Sequence, residues 1–172
     1  MSDVESVSVR DPARKGDLDF EGFFRAEYPR LATALHLLIG DRAEAEDVAQ
    51  EALSRVYERW DRVRAMDSPT GYLYRTALNL QRKRARRLAR RPPPPAADPS
   101  PDPAAVAERR AAIRDALRSL SAEQREALVL VEWLGMDAAE TGALLGISAG
   151  SVRARVHRAR EALRARFGGS DD

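Results

Sequence analysis

The chain of 172 residues contains no cysteine. This absence excludes disulfide bonds, thiolate metal sites and cysteine nucleophiles. No apolar run approaches the ~20 residues that a membrane-spanning helix needs, and the polar N-terminus lacks the apolar stretch of a signal peptide. We therefore expect a protein that acts in the reducing cytoplasm without membrane insertion.

Residues suited to catalysis or to cofactor binding are also scarce. The two histidines, His36 and His157, have no carboxylate at a spacing that would complete a metal site or a proton relay. The sequence contains neither a P-loop nor the glycine motif of dinucleotide-binding folds. We therefore expect no cofactor, no bound metal and no enzymatic activity.

The charge is distributed unevenly although the net charge is only +2. Residues 1–60 contain 13 acidic and 8 basic side chains, whereas the remainder contains 14 acidic and 21 basic side chains. Such asymmetry indicates a basic surface for a polyanion and an acidic surface for a different partner.

Apolar residues recur at helical spacing, and nothing in the sequence is typical of a strand. In the first half, a helix with an apolar face from Phe20 to Leu38 is followed by Gly40, which favours a helix end. Two further helices are predicted to begin at the pairs Asp41 with Glu44 and Ser68 with Pro69.

The composition changes abruptly at residues 92–105, PPPPAADPSPDPAA. Proline at this density cannot continue a helix and favours an extended chain. The sequence therefore predicts an all-α protein with two small helical domains, each with its own core, joined by this linker. The predicted parts are a disordered tail at 1–17, a first domain at 18–91, the linker at 92–105 and a second domain at 106–168.

The second domain is predicted to contain four helices. Capping residues precede three of them, with Ser121 and Gln124, Asp137 and Glu140, and Ser148 at the predicted starts. The inner faces of the first and last helices are predicted to include these apolar side chains: Val106, Ile113, Leu117, Leu120, Val152, Val156, Ala159, Leu163 and Phe167.

The segment 137–160, DAAETGALLGISAGSVRARVHRAR, has the pattern of a helix-turn-helix. A short capped helix and a glycine turn precede a longer helix with arginines on its outer side, and Gly142 provides room where the helices cross. Such a helix fits the major groove of DNA. The alternative is an arginine-rich solvated helix in an ordinary bundle.

Two other helix surfaces carry patterned charge. Seven of the ten residues at 82–91 are basic, and Tyr72, Tyr74 and Asn79 lie just before them, a combination that suits single-stranded DNA. The second helix presents a polar face that contains Asp47 and Glu51. The basic segment and the polar face are each also compatible with a solvated helix surface that binds nothing, and the tyrosines are also compatible with packing in the core.

The order of these segments resembles the ECF (extracytoplasmic-function) group of sigma-70-type sigma factors. The stretch GDRAEAEDVAQEALSRVYERW at 40–60 is similar to the polymerase-binding helix of that family. SPTGYLYRTALNLQRKRARR at 68–87 is similar to the helix that opens and reads the minus-ten element. ALRSLSAEQREALVL at 116–130 and the helix-turn-helix resemble the region that reads the minus-35 element.

The resemblance implies a transcription initiation factor that binds the beta-prime and beta subunits of core RNA polymerase and promoter DNA. It leaves open whether an anti-sigma factor is a further partner. The implied polymerase-binding residues are Asp47, Gln50, Glu51, Ser54, Arg55 and Glu58. The implied minus-ten residues are Tyr72, Arg75, Asn79, Arg82, Lys83 and Arg84. The implied minus-35 residues are Ser148, Ser151, Arg153, Arg155, His157 and Arg158.

Two other functions are compatible with parts of the sequence. A free-standing helix-turn-helix regulator would explain residues 137–160 but would leave the acidic face and the basic segment without a purpose. An adaptor with two helical domains would explain the composition but not the helix-turn-helix.

Overall fold

The computed structural model describes residues 19–88, here called the first half, and residues 104–167, the second half. Every regular element in these two segments is a helix, which confirms the all-α prediction. The first half contains α1 (Phe20–Ile39), α2 (Arg42–Tyr57), α3 (Trp60–Val63) and α4 (Pro69–Leu88). The second half contains α5 (Ala104–Arg118), α6 (Ala122–Leu128), α7 (Ala138–Leu145) and α8 (Ala149–Phe167).

The predicted tail at 1–17 and residues 92–103 of the predicted linker lie outside the described residues. The last two residues of that predicted linker begin α5. The division of the chain at a linker therefore stays a prediction.

Local capping determines where the helices of the first half begin and end. Gly40 adopts a left-handed conformation with φ of 81°, and its amide donates to the carbonyl of His36, so that α1 ends there. The Asp41 side chain accepts a hydrogen bond of 2.8 Å from the amide of Glu44 at the start of α2. Ser68 accepts a similar bond from the amide of Gly71, at 3.0 Å. These observations confirm the predicted helix boundaries.

Both capping boxes predicted in the second half are present. Ser121 with Gln124 and Asp137 with Glu140 exchange reciprocal side-chain and backbone hydrogen bonds. After α6 the chain continues as one π-helical turn, Val129–Trp133, which the sequence pattern did not predict.

The turn between α7 and α8 has the geometry of a helix-turn-helix. Gly146 ends α7 with φ of 72°, and the amide of Ile147 donates to the carbonyl of Gly142 at 3.0 Å. A Cβ atom on Gly142 would lie only 2.6 Å from the carbonyl oxygen of Ile147. Glycine is thus required where the turn crosses α7.

The main apolar core combines residues from both halves. Helices α1, α2 and α4 supply most of it, including Leu31, Leu53 and Leu73. Four buried residues of the second half complete the same cluster: Val129, Leu130, Leu134 and Leu144. The expectation of two separate cores was wrong, because burial of these residues depends on packing between the halves rather than on the periodicity of either half.

A second, smaller core lies between α5, α6 and α8. Two apolar side chains that the periodicity assigned to inner faces are exposed instead, Ile113 at 45% and Phe167 at 54%. Both belong to the long helices at the edges of this small core, which is too narrow to cover them. The side chain of Val106, also predicted to face inward, lies outside the described residues.

A buried polar contact fixes the start of α4 against α1. The carboxylate of Glu27, only 8% exposed, accepts hydrogen bonds from the hydroxyls of Thr70 at 3.0 Å and Tyr74 at 3.3 Å. Burial, reinforced by the negative charge of Glu27, raises the pKa of Tyr74 well above its ordinary value.

None of the helices described between residues 19 and 88 or between 104 and 167 combines the length and the apolar character needed to cross a membrane.

Replacement of Gly142 by alanine should destabilise the second half by about 1–3 kcal/mol, because the added methyl group would press on the backbone of the turn. Gly150 provides the matched control, since a Cβ atom there would meet its nearest neighbour at an ordinary 3.7 Å. Thermal unfolding of Gly142→Ala and Gly150→Ala checks this expectation. Equal stabilities would show that the turn does not need glycine.

Candidate functional site

The predicted polymerase-binding residues form one polar face along α2. Their spacing of three and four residues places them on the same side of the helix. Asp47, Gln50, Ser54, Arg55 and Glu58 are exposed, whereas Glu51 is half-buried. This α2 face offers carboxylates and an amide to a partner, as the sequence pattern predicted.

Glu51 differs from its neighbours because two arginines bind it. Arg55 donates to one carboxylate oxygen at 2.6 Å, and Arg84 of α4 donates to the other at 2.8 Å. Burial acts to raise the pKa of Glu51, but the hydrogen bonds and charges of these arginines outweigh it and lower the pKa. Glu51 is therefore a charged contact that joins the α2 face to the basic surface of α4.

An aromatic groove borders the α2 face and was missed by sequence reasoning. Its volume is about 250 Å³, and Gln50 and Ser54 share its lining with three aromatic rings. Tyr57 is 64% exposed, and its ring centroid lies 4.8 Å from that of Phe20. The spacing of three residues between Ser54 and Tyr57 was the signal in the sequence that could have identified this groove.

The six predicted minus-ten residues all lie on α4, but they differ in what surrounds them. Asn79 and Lys83 are exposed. Arg75 donates to the backbone carbonyl of Ala143 in α7 at 3.0 Å, and Arg84 binds Glu51. Two of these arginines therefore already have intramolecular partners that their sequence positions did not predict.

A third arginine of α4 makes a contact of two hydrogen bonds with the second half. Arg82 donates from Nε and from Nη2 to the two carboxylate oxygens of Glu126, at 3.1 and 2.7 Å. Such a two-bond fork is stronger and more directional than a single ion pair. The hydrogen bond to Glu126 raises the pKa of Arg82 above its ordinary value.

The tyrosines before the basic segment do not form an open stacking surface. Tyr74 is 4% exposed and is bound to Glu27, so of the two interpretations that the sequence allowed, base stacking and core packing, the structure shows core packing. Its burial results from packing of α4 against α1, which helical periodicity alone does not define. Tyr72 is half-buried against the main core, and its hydroxyl accepts from Arg59 at 3.2 Å.

The predicted minus-35 residues surround the N-terminal and middle turns of α8. The exposed ones are Ser148, Ser151, Arg153, His157 and Arg158. The hydroxyls of Ser148 and Ser151 lie 2.9 Å apart, and the amide of Ser151 donates to Ser148. His157 lies 3.3 Å from the carboxylate of Glu161.

Arg155 is set apart from the other arginines of α8. Its side chain is half-buried and lies near Glu123 at the start of α6. Hydrogen bonds from the Glu123 backbone and from Ser121 lower the pKa of the Glu123 carboxyl, and the positive charge of Arg155 lowers it further. Of the three predicted minus-35 arginines, Arg153 and Arg158 therefore have the more open surroundings.

Among the residues that the structure describes, no group of three or more histidine and carboxylate side chains could hold a metal ion. The clustered charges instead form an acidic face on α2, a basic surface on α4 and a basic face on α8. Charge of this kind is typical of surfaces that bind a basic or polar protein surface, in the case of α2, and nucleic acid, in the case of α4 and α8.

Comparison with known proteins gives matches over most of the chain. Residues 23–91 match the family model described as "Sigma-70 region 2", and residues 110–163 match "Sigma-70, region 4". The chain is 36% identical over 150 residues to the RNA polymerase sigma-E factor of Streptomyces avermitilis, and this alignment covers 86% of this chain and 84% of that protein. It is 30% identical over 146 residues to the ECF RNA polymerase sigma factor SigM of Mycobacterium tuberculosis, covering 84% and 74% respectively.

Solved structures share the fold. The sigma factor RpoE in complex with the anti-sigma factor NepR from Bartonella quintana matches with a TM-score of 0.70 at 24% identity, covering 90% of this chain and 99% of that one. CnrH in complex with the cytosolic domain of CnrY matches with a TM-score of 0.66 at 26% identity, covering 88% and 89%.

Proposed function

Because this chain belongs to the ECF group of the sigma-70 family of RNA polymerase sigma factors, we propose that it directs core RNA polymerase to specific promoters and starts transcription there. One observation carries the proposal: the chain matches sigma region 2 and then sigma region 4. The alignment with a sigma-E factor covers 86% of the chain and so includes both regions. A free-standing helix-turn-helix regulator finds no support among these relatives.

The α2 face is the proposed docking surface for core polymerase. Its exposed Asp47, Gln50 and Ser54 lie beside the aromatic groove. Interfaces of this kind combine aromatic anchors with a rim of polar groups. We expect this surface to bind the coiled coil of the beta-prime subunit, the partner implied by the family resemblance, with the beta subunit contacting other parts of the chain.

The basic surfaces of α4 and α8 are the proposed DNA contacts. The N-terminal turns of α8 would enter the major groove of the minus-35 element, where guanidinium groups reach guanine edges and phosphates. The α4 residues Asn79 and Lys83, together with Arg75, Arg82 and Arg84 once these are released, would engage the minus-ten strand as it opens. Extrusion of a base costs a few kcal/mol, which such contacts must offset.

The chain acts as a binding protein rather than as an enzyme. It works in the cytoplasm, where it meets polymerase and the chromosome. Since the structures that share its fold were solved in complex with NepR and with the cytosolic domain of CnrY, an anti-sigma protein is a proposed partner of this chain as well.

Replacement of Asp47 by alanine should weaken binding to core polymerase by at least about fivefold, since truncation of one member of a hydrogen-bonded charge pair in an interface costs more than ~1 kcal/mol. Asp47 is a better residue to replace than Glu51, because Glu51 also accepts a hydrogen bond from Arg84 within the chain. Asp115→Ala, which removes an exposed carboxylate from α5, is the matched control. Co-migration with core polymerase and far-ultraviolet circular dichroism measure affinity and fold. Equal affinity of the two variants would refute docking through the α2 face.

Replacement of Arg153 or Arg158 by alanine should weaken binding of the holoenzyme to a minus-35 duplex selected from a random pool. Loss of a base-reading arginine should cost ~1–3 kcal/mol and relax discrimination at one position, whereas loss of a phosphate contact should lower the salt slope by about one. Arg166→Ala removes the same charge from the last turn of α8 and serves as the control. If all three variants bind alike, α8 does not read the element.

A further inference from the structure

A pocket with a volume of about 230 Å³ lies between α2 and α4. The residues that line it are Glu51, Arg55, Leu80, Lys83, Arg84 and Arg87. Four of these side chains are cations and one is a carboxylate, which leaves an excess of three positive charges. We propose that this pocket binds a phosphate group, which belongs either to a nucleic-acid strand or to a free polyphosphate anion.

The cations reach the pocket from two helices. Lys83 and Arg84 lie four and three residues before Arg87, so that all three share one side of α4. Arg55 comes from the last turn of α2. A cleft lined mainly by charges of one sign concentrates the electric field. The pocket therefore attracts an anion more strongly than the same cations would on an open helix surface.

Glu51 orients two of these cations without using up their donors. The Nη2 atoms of Arg55 and Arg84 donate to the two carboxylate oxygens of Glu51, at 2.6 and 2.8 Å. A guanidinium group has five N–H donors, so each arginine keeps others for a second acceptor. Planar guanidinium groups held in this way match the geometry of phosphate oxygens.

The pocket lies on a different side of α4 from the contacts with the second half. Arg82 binds Glu126, and Arg75 lies only ~20° from Arg82 around the helix axis. Arg84 and Arg87 lie ~160° and ~140° from Arg82. Every residue that lines the pocket belongs to the first half. The pocket is therefore accessible while the second half is packed against α4.

The pocket adds a residue that neither set of predicted contacts contains. Arg87 is exposed, and the sequence assigned it neither to polymerase binding nor to the minus-ten element. Glu51 and Arg55 belong to the α2 face, so a phosphate group in the pocket would lie directly beside the proposed docking surface. Binding of a nucleic-acid strand here rests on the proposed function of α4, whereas binding of a free anion does not.

Calorimetric titration of the full chain with pyrophosphate tests the site. Arg55→Gln and Arg87→Gln should each lower the affinity about three- to tenfold, the usual cost of one charged hydrogen-bond donor at a partly exposed position. Arg87→Lys keeps the charge and should retain most of the affinity. Arg42→Gln is the matched control, because Arg42 also pairs with a glutamate four residues further along α2 but does not line the pocket.

A single-stranded oligonucleotide of mixed sequence distinguishes the two sources of phosphate. If a strand supplies the group, Arg87→Gln should lower the oligonucleotide affinity and reduce its salt slope by about 0.7, and pyrophosphate should displace the strand. If a free anion supplies it, only the pyrophosphate affinity should depend on Arg87. Fluorescence anisotropy over a salt series measures both effects, and either result supports the phosphate site.

Two outcomes would overturn the site. In the first, neither probe loses affinity in Arg55→Gln and Arg87→Gln, even if the melting temperature falls, which would mean that these cations only join α2 to α4. In the second, Arg42→Gln lowers the pyrophosphate affinity as much as Arg87→Gln does, which would mean that the anion responds only to overall charge. Failure of the wild-type chain to bind core polymerase would refute the proposed function and would leave the pyrophosphate result unaffected.

Discussion

Burial of apolar side chains from the second half in the core of the first half is the interaction on which the rest of the arrangement depends. Leu130 is 1% exposed, and Val129 and Leu134 are nearly as well covered. A leucine buried to this degree contributes about 1.5–3 kcal/mol relative to an exposed one. This packing brings α6 and α7 against α4, and the contacts of Arg82 and Arg75 become possible only as a consequence.

Arginine chemistry connects this packing to function. Only Lys15 and Lys83 among the 29 basic residues are lysines, so almost every cation is a planar group that can bind a carboxylate with two bonds. Glu126 and Glu51 each bind an arginine of α4, which ties the basic surface to the second half and to the α2 face. The same donors suit DNA phosphates, so these ion pairs occupy groups that could also bind nucleic acid.

Features that depend on neighbouring residues were predictable from the sequence. The caps at Asp41, Ser121 and Asp137 and the glycine turn at Gly146 require only local hydrogen bonds and backbone freedom, and all were found where the sequence indicated. Exposure of Asp47 and Arg153 followed from helical spacing in the same way.

Features that depend on contacts between distant helices were not predictable. The sequence left open whether Tyr74 contacts bases or packs in the core, and only the structure shows that Glu27 of α1 binds its hydroxyl. The partners of Arg75 and Arg82 lie 68 and 44 residues away in the sequence, beyond the reach of any periodicity. The shared core escaped prediction for the same reason, since a proline-rich segment indicates a boundary but not whether the halves pack together.

Run-off transcription tests the central claim most directly. Core polymerase reconstituted with this chain would transcribe fragmented genomic DNA from the source bacterium, and the start sites would be mapped. The account predicts discrete start sites that share sequence elements near positions minus 35 and minus 10 and that are absent with core polymerase alone. Transcripts that begin at random, or at the same sites without the chain, would contradict it.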